Sequence, residues 1–384
     1  MANIDAVMKE LNKKFGSGVV MKASEAKALD ITRIPTGSIA LDIITGGGIP
    51  ESRVTLITGG YSCGKTAVAT KIVAQAQKLF KKRFEEGTEK VQKKCCWIDA
   101  EGAFENEWAE KLGVDVDSLV VCKPEYGEQA LDIADVMTKT DDIGLIVLDS
   151  IAALVPQAEA DESMNKLFMG DAAKMNNKFF RKLSGGMNGR DLGNVGDKAP
   201  TVILINQVRE KIGVMYGNPN TLPGGKGQEY SASIILELRR GDWIQFKMDK
   251  NGTQVEEVVG QWVKATATKN KTAPPKRTGE FRFFFNDTPY TFKAGDIDTA
   301  EEIVRYAIKY GIIKRRGAYY EIEGRPHNIQ GQDNVVKELR DDTELLNSMY
   351  DRIMQIAVHN KPEVVEGESE GSSVKEGAGT GGEE

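Results

Sequence analysis

The chain opens on a helical period: Ile4, Val7, Met8, Leu11 and Phe15 fall on one face, with charged and polar residues on the other, before Gly16-Ser17-Gly18 breaks the pattern. A lone helix of this length is marginal in water, so its apolar face needs a surface to cover, on its own chain or on a neighbour. From Arg53 the pattern changes. Short continuous apolar runs, RVTLIT (53–58), CCWID (95–99), SLVVC (118–122), LIVLD (145–149) and TVILIN (201–206), alternate with helical segments, including Lys65 to about Phe84 and Glu128–Thr138. Uninterrupted apolar strands separated by helices predict a parallel sheet covered on both faces, an α/β fold. After Asn206, SIILELRR, GQWVKATAT and FRFFFN, with a turn at Asp249–Gly252, predict hairpins that extend the sheet.

A smaller unit begins near Asp296, where Ala300, Ile303, Val304, Ala307 and Ile308 share a helical face, and it ends in a helix over Thr343–Ala357. Two charged or glycine-rich stretches are expected on the surface. Lys81–Lys94 alternates Lys and Glu and reads as a solvated helix extension, and Ser184–Lys198 reads as a surface loop. From Lys361 the chain is Gly, Glu and Ser with no core-forming run, which predicts a disordered tail.

Composition narrows the class. The chain has 384 residues, 40% hydrophobic, with a net charge of -6, enough for one large core or two modest ones. Cys63, Cys95, Cys96 and Cys122 are not in paired C-x-x-C clusters and His327 and His359 lie far from them, which argues against a disulfide scaffold or a structural zinc site. No window has the apolar length of a signal peptide or membrane span, so a soluble, cytoplasmic protein is expected. The acidity is concentrated in the tail. Basic clusters at Lys81-Lys82-Arg83, Arg239-Arg240, Lys269, Lys271 and Lys314-Arg315-Arg316 stand on a nearly neutral body, so the overall charge does not exclude a nucleic-acid partner.

The strand RVTLIT runs into Gly59-Gly60-Tyr61-Ser62-Cys63-Gly64-Lys65-Thr66 and then a helix, which is the phosphate-loop pattern G-x-x-x-x-G-K-[ST] in the context that gives it meaning. Backbone amides surround a phosphate, Lys65 neutralises its charge, Thr66 offers a hydroxyl to Mg²⁺, and the helix N-terminus adds its dipole. Asp149 ends a buried strand where a carboxylate can hold a magnesium water shell. Glu101 and Gln207 follow two further strand ends, where a carboxylate can orient water and an amide can sense the γ-phosphate. Read singly, Asp149 is equally a turn or cap residue, and Glu101 and Gln207 solvated loop residues. Their joint occurrence with Lys65 favours a nucleotide site.

These segments resemble the RecA family of strand-exchange recombinases, in bacterial or phage form, from about Met1 to Ala357. The resemblance rests on Thr36–Asp42, the phosphate loop, Ile98–Glu101, Pro124–Leu131, Leu148–Leu154, Ile205–Gln207, Lys211–Pro219 and Lys269-Asn270-Lys271. It implies a RecA-type P-loop ATPase core over residues 33–285 with two DNA-binding loops. Around it would lie an N-terminal helical polymerisation arm (1–32), a small α+β C-terminal domain (286–360) and an acidic tail (361–384). It also implies ATP and Mg²⁺ as cofactors, with nucleotide contacts from Gly59 through Ala67. Glu101 would activate water, Gln207 would couple the γ-phosphate to the second loop, Trp108 would stack on adenine and Glu105 would accept from its amino group. Lys269 and Lys271 would reach the ATP of the next subunit.

The same resemblance places DNA contacts at Met169, Gly170, Lys174 and Arg181 around the first loop (162–170), and at Arg209, Tyr216, Gly224 and Gly225 in the second (208–226). Without it, Lys174 and Arg181 read as a solvated stripe. The implied partners are single-stranded DNA, homologous duplex DNA, further copies in a helical filament, and mediator or repressor proteins, with no membrane. The acidic tail is either a competitor for a basic DNA surface or a solubilising tail, and Lys314-Arg315-Arg316 beside Tyr319-Tyr320 either gathers duplex or is a charged turn. Departures from the bacterial pattern are Gly60-Tyr61-Ser62-Cys63 and Ala67 in the phosphate loop, which set a thiol beside the nucleotide, and Glu229 in place of a lysine near the subunit interface. A ring-shaped helicase or loader and a non-catalytic DNA-coating protein are the competing classes. The N-terminal arm and Lys211–Pro219 favour a filament, and Lys65, Thr66, Glu101 and Asp149 together favour turnover.

Overall fold

The computed structural model describes residues 3–16, 20–22, 31–161, 170–190, 199–210, 220–250, 253–289, 291–323 and 325–359. Its centre is an eight-stranded sheet, in the order Thr278–Phe284, Thr253–Asn270, Ile234–Lys250, Val54–Gly59, Thr201–Gln207, Ile143–Asp149, Lys94–Asp99, Leu119–Cys122. The six strands from Ile234–Lys250 to Leu119–Cys122 are parallel, and the other two join as antiparallel hairpins. The apolar runs are continuous because both sheet faces are covered. Leu145 and Val147 pack with Ile72, Val73 and Phe80 of helix Lys65–Glu85 on one side, while Ile146 and Leu148 pack with Ala130, Leu131, Phe179 and Leu183 on the other. Register aligns the strand ends: Gly59 lies beside Gln207, and Asp99 beside Asp149. Four sequence-distant segments therefore deliver their next residues to one carboxyl edge, where open α/β sheets bind ligands.

Most expected elements are present with ends shifted by one to three residues, but the first hairpin is much longer than the apolar runs that announce it: its strands span Ile234–Lys250 and Thr253–Asn270, where SIILELRR and GQWVKATAT mark only residues 233–240 and 260–268. Two surface expectations change. The helix Asp171–Arg190 runs through Ser184–Arg190, where a loop was expected, because buried Phe179, Phe180, Leu183 and Met187 continue an inward stripe that outweighs the low helix propensity of Gly185 and Gly186. The helix from Lys65 ends at Glu85, and the residues after it turn back. There Arg83 is held bidentately by Glu51 at 2.6 and 2.9 Å, with Glu89 at 3.3 Å, so this stretch is anchored instead of continuing as a solvated helix. The helix Ile4–Phe15 has no buried residue, and Ile4 and Phe15 are exposed. Among the described residues no helix is long and apolar enough to cross a membrane.

A third core joins Ile39, Ala40 and Ile43 of helix Ile39–Thr45 to Ile303, Val304, Ala307, Leu339 and Ile353 of the C-terminal segments. Polar contacts latch the same junction. Glu302 accepts from the Ser38 hydroxyl at 2.7 Å and the Ala40 amide at 3.1 Å, and the Tyr350 hydroxyl donates to Asp42 at 3.1 Å. Burial pushes the Glu302 carboxyl up to about 8 and that of Asp42 up to about 6, against the hydrogen bonds that favour the charged forms. The folded chain thus binds these protons more tightly than the unfolded chain, so stability is highest near or below the ordinary carboxylate range and falls as pH rises toward 8. The melting temperature is expected to drop between about pH 5 and about pH 9. Glu302→Gln, which keeps an acceptor for Ser38, should flatten that slope in a thermal-shift series; an unchanged slope would count against this origin.

Candidate nucleotide site

The loop between strand Val54–Gly59 and helix Lys65–Glu85 is shaped by close approaches. A methyl group at Gly59 would lie 2.4 Å from the Leu238 carbonyl and 2.5 Å from Cys63 Sγ, so only glycine fits there. Ser62 and Gly64 take positive φ, 51° and 92°, and turn the chain into the helix. Lys65 Nζ donates to the Gly60 carbonyl at 2.7 Å, and the Cys63 thiol shares that acceptor at 3.2 Å. Burial raises the Cys63 pKa, opposed by the nearby Lys65 charge, so the thiol stays protonated and packs beneath the loop. Gln261, from the adjoining hairpin, donates to the Ser62 carbonyl at 3.1 Å. Tyr61 is exposed at the loop's crest, and Ala67 packs against the core in the helix's first turn.

Thr66 Oγ1 donates to Asp149 Oδ2 at 3.0 Å, while Asp149 Oδ1 is buried with no hydrogen-bond partner among the described residues. A hydroxyl beside a carboxylate with an unmet oxygen is a hard-oxygen donor set that fits a small divalent cation. Burial, followed by the Glu101 charge, pushes the Asp149 carboxyl up to about 7, against the Thr66 hydrogen bond. Glu101 Oε1 accepts from the Ser150 hydroxyl at 2.6 Å and from Gln207 Nε2 at 3.0 Å. The turn carrying Glu101 is fixed by Asp99, whose carboxylate accepts from the Ala103 and Phe104 amides, both at 3.1 Å. The structure therefore brings Lys65, Thr66, Asp149, Glu101 and Gln207 to one edge.

Ser150, Asp99 and Gln261 were not singled out from sequence. Ser150 directly follows Asp149 in a segment already noted, and that adjacency was the one available signal. Trp108 lies on helix Asn106–Lys111, half-buried and edge-on to Phe283 with centroids 6.4 Å apart, and Glu105 is exposed at the helix start. Lys269 and Lys271 are elsewhere. Lys269 lies opposite Ile235, which pairs with Leu56, so it sits three strand residues or roughly 10 Å back from Gly59, away from the carboxyl edge. Its ammonium donates to the Glu229 carbonyl, and Lys271 Nζ to the Tyr230 carbonyl at 3.4 Å.

Of the expected DNA contacts, Met169 and Tyr216 lie outside the described residues, as do Lys211–Pro219 and the tail. Gly170 is exposed with φ of 85°, and Lys174, Arg181 and Arg209 are exposed. Gly224 and Gly225 close the second loop at φ of 87° and 83°.

Fold and site define a phosphate-loop nucleotide-binding protein of the α/β class. A family model for the RecA N-terminal domain matches residues 2–288. Similar relatives named Protein RecA include that of Frankia alni, 38% identical over 92% of this chain and 91% of its own length, and that of Clostridium acetobutylicum, 36% identical over 95% and 96%. That of Ruminococcus albus is 38% identical over 89% of this chain and 77% of its own length. The chain belongs to the RecA family. It is accordingly a DNA-dependent ATPase of homologous recombination and DNA repair.

Proposed function

We propose that the site binds ATP with Mg²⁺, that Glu101 directs the attacking water, and that hydrolysis is completed only between neighbouring copies in a filament on single-stranded DNA. The observation that carries this reading is the shared carboxyl edge. On that edge Lys65 and the loop amides would hold the phosphates, the linked Thr66 and Asp149 the cation, and Glu101, bonded to Ser150 and Gln207, the water. When bound there, Mg²⁺ supplies charge neutralisation at the phosphate oxygens. Gln207 ends its strand beside Gly59 and is one residue from Asn206, whose side chain grips the base of the second loop, so a γ-phosphate that draws the Gln207 amide also pulls on that loop.

Lys269 and Lys271, remote from their own chain's phosphate loop, act on the nucleotide of the next copy. The apolar face of Ile4–Phe15, with Ile4 and Phe15 exposed and Val7, Met8 and Leu11 only half-buried, supports an arm docked on a neighbour, and the exposed Lys174, Arg181 and Arg209 support backbone contacts that leave base edges free for pairing. Mediator or repressor proteins would act on that assembled filament.

Steady-state ATP hydrolysis with Mg²⁺, with and without single-stranded DNA, across a protein concentration series tests the reading. Strong DNA stimulation that rises cooperatively with protein is expected. Turnover indifferent to DNA would refute completion of the site on a strand.

A further inference from the structure

Asn176 sits in the second turn of helix Asp171–Arg190 and is 1% exposed, yet neither Nδ2 nor Oδ1 has a hydrogen-bond partner among the described residues. A buried carboxamide with both ends unmet destabilises the state that contains it, because its contacts with water are lost without replacement. The group is packed directly under the second loop. A methyl at Gly224 would lie 2.8 Å from Asn176 Nδ2 and 2.8 Å from Ile151, so the loop backbone rests on this amide.

The chemistry of the pocket selects its occupant. A carboxamide offers one donating and one accepting group, the complement of a peptide unit. The peptide joining Pro223 to Gly224 is now held from elsewhere: its carbonyl accepts from Asn206 Nδ2 at 2.9 Å and from Gln228 Nε2 at 2.6 Å. Gln228 also donates to the Gly225 carbonyl at 3.0 Å. In a planar trans peptide the N–H points opposite to the carbonyl, so the Gly224 N–H is directed away from this clamp. Two consecutive glycines at positive φ give the peptide freedom to reorient. Asn206 also accepts from the Gln207 amide at 2.8 Å and donates to Gln228 at 2.7 Å, so the clamp adjoins the residue whose side chain lies on Glu101.

We propose that Asn176 is the receptor for the second loop in its DNA-bound position. When the nucleotide site draws Gln207, the clamp on Pro223 loosens and the Gly224 backbone pairs with the waiting carboxamide, which fixes the loop for DNA. Asn176 is thus a positioning residue that touches the loop and not the strand. This inference rests on the reading that residues 208–226 hold DNA.

The test compares wild type with Asn176→Leu, which keeps the branched shape with somewhat larger bulk and no polar atoms, and with the more adaptable Asn176→Met. The readouts are the melting temperature of the free protein and the affinity for a single-stranded oligonucleotide in ATP and in ADP. An unchanged or higher melting temperature is expected, together with about tenfold weaker DNA binding in ATP, the worth of one good hydrogen-bonded pair, and little change in ADP. A lower melting temperature in both variants, or an equal loss in ATP and ADP, would show a space-filling role and overturn the proposal. Undiminished ATP-gated binding in the variants would overturn it while leaving the loop assignment intact. A wild type that binds DNA equally in ATP and ADP would sink the loop assignment and the proposal with it.

Discussion

Replacing Glu101 with glutamine is expected to lower ATP turnover by about 10²- to 10⁴-fold while nucleotide affinity stays within a few-fold of wild type. The side chain is nearly isosteric and keeps an oxygen to accept from Ser150, now at 2.6 Å, so the geometry of the turn should survive. What it loses is the basic oxygen left over once Ser150 and Gln207 occupy Oε1. On the proposed reading, binding rests on different groups, Lys65 and the loop amides, whereas the partners of Glu101 are Ser150 and Gln207. Single-turnover hydrolysis and titration with a fluorescent nucleotide separate the two effects. Turnover within tenfold of wild type would exclude Glu101 as the group that directs water, and a matching loss of affinity would recast it as a structural support.

The second large effect concerns assembly. A double variant with Lys269→Ala and Lys271→Ala should hydrolyse ATP poorly even on saturating DNA, yet bind nucleotide as a free protomer, because Lys269 lies three strand residues back from the phosphate loop's Gly59 and Lys271 two residues further along the chain, bonded through its amide to Ser233. Mixed in equal amounts with the Glu101→Gln protein, which is also nearly inactive, it should recover activity at about a quarter of the sites, those where an intact loop meets intact lysines across a head-to-tail contact. Activity no higher than the sum of the separate proteins would place the lysines' role within one chain. Lys269 is suited to reaching a neighbour's phosphates. Partial burial, followed by the charge of Lys271, lowers its pKa, and its ammonium rests on backbone carbonyls and not on a carboxylate that would have to be displaced.

The order of strands and helices, the phosphate loop, Asp149, Glu101 and Gln207 were legible in the sequence, because each depends on features a few residues long. Runs such as Leu145–Leu148 declare a strand buried on both faces, and Gly59, Gly64, Lys65 and Thr66 must lie at fixed spacing for a backbone to wrap a phosphate. Strand ends then place Asp149 and Gln207 without knowledge of their neighbours.

Tertiary structure alone decided which of these groups touch and what supports them. Ser150 reaches Glu101 across 49 residues of sequence, Gln261 reaches Ser62 across 199, and Ser38 reaches Glu302 across 264. The unmet amide of Asn176 belongs to the same class: its residue type suggests only a poor helix former, and its meaning comes from Gly224 packed above it. The helix through Ser184–Arg190 ran against local propensity for the same reason, since burial of Leu183 and Met187 outweighed two glycines. Backbone preference and periodicity act over one or two turns of chain and can be read along it; hydrogen-bond partners and burial are set by contacts between distant segments, which exist only once the sheet has brought them together.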